Sequence, residues 1–419
     1  MKLFINASLP TSSSALKKVN VLFQDKILKI SADEIACEED HEIIDLKGKV
    51  LLPGAIEAHS HLVTGKKTLK KDLLKAGQSA IKGGWTTLAE MSYHSKDPIF
   101  ESYDLKVMIK GIEGIAHPDM AFWAHVDVDD YPYYAESAQE LWNKGVVGIL
   151  LMNPSPNAAV TSMNFTEIMD MFMDIYESDT EFAFQGYDVD SHDDYSFTAQ
   201  MDGIKKILRR MQENPIHIPR VSSYLTIEFI NTISKRSDIS FGMNIMDLMN
   251  LLEPEAFPVP WATDFADYYA ELYELLKTNK IYLLSNSCSE VEADNELFNG
   301  NPPHLMEYSY LWVLSELWKK RKIPLATCLK MLSENPAKRL GIYPKKGCLD
   351  AGSDADFVIY DPGQTTKLKS PNGTNIELNG AIEQVWLRGK LQEPDGKPEG
   401  EFVPRVQSPK RRHNKRSWI

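Results

Sequence analysis

Two histidines one residue apart, His59 and His61, end the run LLPGAIEAHSHL at residues 51–62. On a β-strand alternate side chains share a face, so this pair presents two imidazoles to one side, at a spacing that suits a shared metal ion. Two imidazoles do not make a closed ligand set. The chemistry therefore depends on what other segments bring. Two loops offer candidates: HVDVDDYPYY at 125–134, with His125 and Asp127, and YDVDSHDDY at 187–195, with His192. Either could line a pocket for a polar ligand or help hold a metal. The ordinary reading of both is a solvated acidic loop.

The elements that must position these residues follow from the apolar pattern. The first fifty residues alternate short apolar runs with turns (KLFINASL, KVNVLFQDKILKIS, HEIIDLKGKVLL), which is strand-and-hairpin patterning. The same pattern returns in DADFVIYDP and AIEQVWLRGKL. Between them a short apolar strand followed by an amphipathic helix recurs about eight times, as a (β/α)₈ barrel requires. The fold class expected is α/β: a (β/α)₈ TIM-type barrel over 55–344, a small β-sandwich from both chain ends (1–54 and 345–400), and a basic tail from 401 to 419. Gly83-Gly84 reads as a tight helix-to-strand turn. The aromatic run at 307–318 has helical spacing and reads as barrel packing or a subunit contact.

Three segments together resemble the cyclic amidases of the amidohydrolase superfamily, which include dihydroorotase, allantoinase, hydantoinase and dihydropyrimidinase. LLPGAIEAHSHL resembles their first barrel strand. DLLKAGQSAIKGGWTTLAEMS is similar to the helix and second strand that follow. SENPAKRLGIYPKKGCLDAGSDADFVIYDP resembles the passage from barrel to β domain. The resemblance implies two divalent metals, usually zinc, held by four histidines, one carboxylated lysine and one aspartate, each at the C-terminal end of a barrel strand. The metals would acidify a bridging water, and the aspartate would move its proton to the leaving nitrogen.

Matched position by position, His59 and His61 keep the first-strand ligands, and four other positions depart. Gly145-Val146-Val147-Gly148-Ile149-Leu150 matches the family's G-V-x-G-F-K, with Leu150 where the lysine stands. Gln185 takes the fifth-strand histidine's place, Arg220 that of the sixth strand in HIPRVSS, and Asn286 that of the catalytic aspartate. Leucine cannot be carboxylated, and a guanidinium repels a metal cation. An amide cannot act as a base near neutral pH. His61-Leu62-Val63-Thr64 also lacks the arginine with which dihydroorotases hold the substrate carboxylate.

The expectation is a degenerate metal site, with His59 and His61 as a weak remnant. No cofactor is expected beyond zinc at low occupancy. The resulting reading is a non-catalytic homologue serving as a structural or regulatory partner, within a homo-oligomer or with another protein. Two alternatives stay open: a metal-dependent hydrolase of cyclic amides or related C–N bonds using rearranged ligands, and a binder of a small molecule in the old pocket. A net charge of −13 disfavours nucleic acid as a partner. No apolar run is long enough for a membrane span. Four scattered cysteines (Cys37, Cys288, Cys328, Cys348) and no apolar leader point to the cytoplasm. The closing stretch, VPRVQSPKRRHNKRSWI, is basic against an acidic body and reads as solvated or bound to something acidic.

Overall fold

A computed structural model describes residues 1–13, 15–36, 41–64, 68–92, 95–155, 157–175, 180–192, 196–209, 215–234, 238–259, 263–289 and 301–406. The basic run at 407–419 lies outside the described residues. Two sheets organise the chain. The first takes β1 (Lys2–Pro10), β2 (Leu16–Phe23), β3 (Ile27–Ser31), β4 (Glu42–Asp45) and β5 (Val50–Pro53) from the N-terminal end. It is completed from the C-terminal end by β14 (Phe357–Lys369), β15 (Asn375–Leu387) and β16 (Lys390–Gln392). The join is antiparallel, β5 against β14, with Val358 opposite Leu52 and Tyr360 opposite Val50. Its core is aromatic: Phe4, Phe23, Phe357 and Trp386 pack tilted or edge-on at 4.5–5.8 Å between ring centroids.

The second sheet is parallel and runs in chain order: β6 (Ala55–Ser60), β7 (Trp85–Glu90), β8 (Asp119–Ala124), β9 (Gly148–Asn153), β10 (Phe182–Gly186), β11 (Ile216–Ile218), β12 (Ile239–Asn244) and β13 (Leu283–Ser285). Every residue of these strands is buried, as a parallel sheet covered on both faces demands. Helices α1 (Leu69–Lys82), α2 (Ser102–Ile112), α3 (Tyr134–Asn143), α4 (Phe165–Ile175), α5 (Phe197–Leu208), α6 (Tyr224–Ile233), α7 (Ile245–Leu252) and α8 (Tyr269–Lys277) fall between and cover it. The sheet closes on itself where β6 meets β13. There His61 N donates to Cys288 O at 2.8 Å, and His61 and Ser289 form a parallel bridge. The expected barrel and two-ended β domain are the observed fold. Gly83-Gly84 turns α1 into β7: a Cβ at Gly83 would sit 1.7 Å from Met306 O, and Gly84 has φ +89°. No helix among the described residues is long and apolar enough to cross a membrane.

At the N-terminal end of the strands one buried ion cluster ties barrel to β domain. Lys346 Nζ lies 2.6 Å from Asp119 on β8 and 2.9 and 2.7 Å from Asp354 and Asp356, which lead into β14. Arg388 pairs with Asp119 as well. Burial alone would pull the Lys346 ammonium down, but the three carboxylates push its pKa well above the usual lysine range. By composition residues 401–406 belong to the tail. They instead run under the barrel. Met120 N donates to Glu401 O and Val403 N to Met120 O, both at 2.8 Å, and Arg405 stacks on Trp142 at 3.4 Å. The backbone of β8 offers free ladder groups at its start, and this segment takes them.

Removing one partner of a buried ion cluster strands the others. Lys346→Met should therefore destabilise the chain by about 3–5 kcal/mol in urea unfolding. A loss below about 1 kcal/mol would mean that solvent reaches the cluster.

Candidate active site

The C-terminal ends of the barrel strands carry the residues matched above. His59 lies near the end of β6, and its ring is fully buried. Its Nε2 is 2.7 Å from Nε2 of His217, on β11, with the rings 4.8 Å apart and 25° from parallel. Nδ1 of His217 meets Ser240 Oγ on β12 at 2.7 Å, and Trp123 stacks on its other side. Burial drags the His59 pKa down to about 3. It holds His217 well below the usual histidine range too, with His59 and Arg339 adding to the effect. Both rings are thus neutral, and one ring's N–H points at the other's lone pair. Two imidazoles sharing a tetrahedral zinc, with bonds of about 2.0–2.1 Å, stand roughly 3.3 Å apart. The observed spacing is a direct hydrogen bond, made between atoms that a metal would need.

Strand 8 supplies the other half. Asn286 follows β13 directly and is fully buried. Its Nδ2 donates to Glu57 Oε2 at 2.9 Å and its backbone N to the same oxygen at 2.6 Å. Glu57 Oε1 accepts from His59 N at 2.9 Å and from Ser285 Oγ. Burial raises the Glu57 pKa, against the pull of these four donors. Asn301 Nδ2 extends the network, donating to Asn286 O at 2.5 Å and to Asn244 Oδ1 at 2.8 Å. On the other side of β6, Glu90 accepts from Leu62 N, Val63 N, Ser60 Oγ and Ser92 N. Burial outweighs those bonds and lifts its pKa to about 7.

The remaining matched positions have other jobs. Leu150 packs inside the barrel with Ala58, Ala121, Trp123 and Met152. Gln185 is buried at the end of β10. Arg220 follows β11 and places Nη2 3.9 Å from Asp247 Oδ1 in α7. His61 is buried and belongs to the β6–β13 junction. Of the three pocket candidates, His125 is buried after β8 with Nε2 2.9 Å from Met91 O, and burial lowers its pKa to about 4. Asp127 caps the short turn Val128–Asp130, accepting from Asp129 N. His192 is a quarter exposed and meets Asp202 at 3.1 Å. Asp127 and His192 are thus engaged locally rather than brought to His59.

Sequence reasoning passes over Glu57, Glu90 and the partnership of His217 with His59. A signal for Glu57 exists: Glu57, His59 and His61 form an E-x-H-x-H run with strand period two. Nothing local marks His217, whose role arises only when strands 1 and 6 face each other.

The donor set does not fit a binuclear centre. Among the described residues the one place where three His, Cys, Asp or Glu side chains converge within metal-binding reach is Asp119, Asp354 and Asp356, where the Lys346 ammonium already sits. The strand ends offer the hydrogen-bonded pair His59–His217, a hydrocarbon at Leu150, and an amide at Asn286 whose N–H is committed to Glu57.

Comparisons with known proteins bear on descent. Residues 261–392 match the amidohydrolase family. The chain is 24% identical to a dihydroorotase of Acetivibrio thermocellus, over 89% of this chain and 94% of that protein. It is 22% identical to an allantoinase of Arabidopsis thaliana, over 85% and 80%. Its fold superposes on the L-hydantoinase (dihydropyrimidinase) of Arthrobacter aurescens with a TM-score of 0.80 at 21% identity, covering 96% of this chain and 99% of that one.

The depressed histidines set a pH dependence. Folded pKa values of about 3 for His59 and about 4 for His125 lie below the unfolded value of 6.5. Between these limits the unfolded chain binds more protons, so stability falls as pH drops below 6.5. Each such histidine contributes up to about 1.4 kcal/mol per pH unit. In chelator-treated protein these histidines should lower the urea midpoint as pH falls from 6.5 to 4.5, against the opposite pull of Glu90, whose folded pKa of about 7 lies above its unfolded value. His59→Asn should make that slope shallower, whatever it does to the midpoint at pH 8. An unchanged slope would place a protonated or solvent-reached imidazole at 59.

Proposed function

The chain belongs to the amidohydrolase family, on the side of the dihydroorotases, allantoinases and hydantoinases, and from that premise we propose that it works as a structural or regulatory protein without the family's binuclear hydrolysis. The observation carrying this reading is Asn286. It stands at the position of the proton-carrying aspartate, and its amide is spent on Glu57. A carboxamide has no proton equilibrium near neutral pH. The nitrogen leaving a cyclic amide would therefore find no acid at this place. Leu150 removes the ligand that would bridge two metals. The chemistry of partners is set by the fold's remaining surfaces: a second copy of this chain or another protein.

A second reading keeps hydrolysis. His59 and His61, both buried, would hold a metal with rearranged ligands, and that metal would polarise the carbonyl of a cyclic amide or a related C–N bond. A third keeps only binding. Asn286 Oδ1 and Asn244 Nδ2 are buried without a hydrogen-bond partner among the described residues, and such atoms call for water or a small polar ligand.

Two measurements decide. Elemental analysis should find well under one equivalent of tightly bound zinc per chain; two equivalents would overturn the proposal. Metal-supplemented protein should not turn over dihydroorotate, allantoin, hydantoin or dihydrouracil, beside a His59→Ala/His61→Ala control. Turnover that disappears in the control would restore the enzyme reading. General acid–base catalysis alone is worth about 10²–10⁴ in rate, so Asn286→Asp by itself should stay inactive while the metal is missing.

A further inference from the structure

We propose that Glu57 and Asn286 form a reciprocal latch that closes the barrel between its first and last strands, and that this latch requires a hydrogen-bond donor, not a carboxylate, at position 286. A parallel barrel has one seam where chain order gives no help: β6 and β13 are more than two hundred residues apart. Here one buried carboxylate joins the seam beside the His61–Cys288 bond. Both oxygens of Glu57 are filled, Oε1 by His59 N on its own strand and Ser285 Oγ on β13, Oε2 by the backbone and side-chain N–H groups of Asn286. No lysine or arginine among the described residues forms an ion pair with it. Its oxygens are therefore met by N–H and O–H groups alone, and every donor removed counts. The latch reaches further through Asn301, which ties Asn286 O to Asn244 Oδ1; that oxygen also caps α7 at Met246 N. β13 and β12 are thereby fixed to β6.

An aspartate at 286 would place a second carboxylate against Glu57 with no cation between them. Two carboxyl groups would then meet acceptor to acceptor, and the side-chain N–H bond to Glu57 Oε2 would be lost. The donor at 286 is thus matched to the acceptor at 57, and the loss of the proton carrier at 286 is coupled to the way the barrel is shut. This deepens the reading that position 286 relays no proton, but its test uses no turnover.

The full-length, chelator-treated protein is compared with Asn286→Asp, Glu57→Gln and the double variant by urea unfolding at one alkaline pH. Asn286→Asp should lower the folding equilibrium constant by about tenfold or more. Adding Glu57→Gln should recover much of that loss, because the carboxamide introduced at position 57 would offer the N–H that an aspartate at 286 can accept, and the repulsion is gone. A gain on combining two changes at separate positions is the mark of direct coupling. If Asn286→Asp fails to fold, a folded double variant supports the latch just as well. The proposal is overturned if Asn286→Asp is as stable as the wild type, or if the double variant is no more stable than Asn286→Asp. Hydrolysis by the wild type alongside the expected rescue would sink the non-catalytic reading and leave the latch standing. The opposite pair of results would do the reverse.

Discussion

A carboxylate buried at the closing seam of a parallel barrel is the constraint on which the rest of the strand ends depends. Glu57 has no ammonium or guanidinium among the described residues beside it, so its oxygens must be satisfied by hydrogen bonds or it must take up a proton. Four donors converge on it, and three come from across the seam. To supply them, β13 must end where Ser285 and Asn286 can turn inward. The backbone bends sharply just after, with Ser287 at φ +46°. The positions of Cys288 and Ser289 against His61 follow from that turn. The acidic residue and the His61–Cys288 and His61–Ser289 pairing together fix the register of two strands that sequence order leaves free.

The two ends of the barrel solve the same electrostatic problem in different ways. At the N-terminal face three aspartates surround one lysine, and Arg388 adds a second cation, so opposite charges are present in the same dry volume. At the C-terminal face charge is thinned out instead. Leucine, glutamine and asparagine are neutral, Arg220 faces Asp247, and two histidines are held uncharged by burial. Pairs of imidazoles are cheap to bury only when neutral, and the His59–His217 contact supplies one hydrogen bond without importing a cation. Glu57 and Glu90 remain the buried carboxylates of this face, each met by hydrogen-bond donors.

How much of this is legible in the sequence depends on whether the cause is local. The barrel and the split β domain follow from apolar runs, their lengths and their turns, which are local properties, and both are the observed fold. Leu150, Gln185, Arg220 and Asn286 can be singled out because glycines and apolar neighbours keep the register of each strand. The network that joins them cannot. Glu57 escapes notice although it precedes His59 by one strand period, because an acidic residue inside a buried strand looks like a turn residue until its donors are known. His217 stands in plain view beside Arg220, yet its meaning lies 158 residues away at His59. Residues 401–406 read as tail because the basic run follows them without a break, whereas their backbone fills a ladder that β8 leaves open.

The distinction between a damaged site and a rebuilt one can be argued from partners rather than from residue types. Hydrogen bonds among the strand ends occupy part of what these side chains offer, while His59 Nδ1, Asn244 Nδ2 and Asn286 Oδ1 are buried without a partner among the described residues. Here the first-strand histidine has found another histidine, the buried carboxylate has found four donors, and the asparagine at 286 supplies two of them. Each substitution makes sense of its neighbour: an aspartate at 286 would repel Glu57, and a dication at His59 would have to break the contact with His217. Seating a metal at these strand ends would therefore cost more than the rearrangement of its ligands. It would include undoing bonds that hold β6 to β11 and to β13.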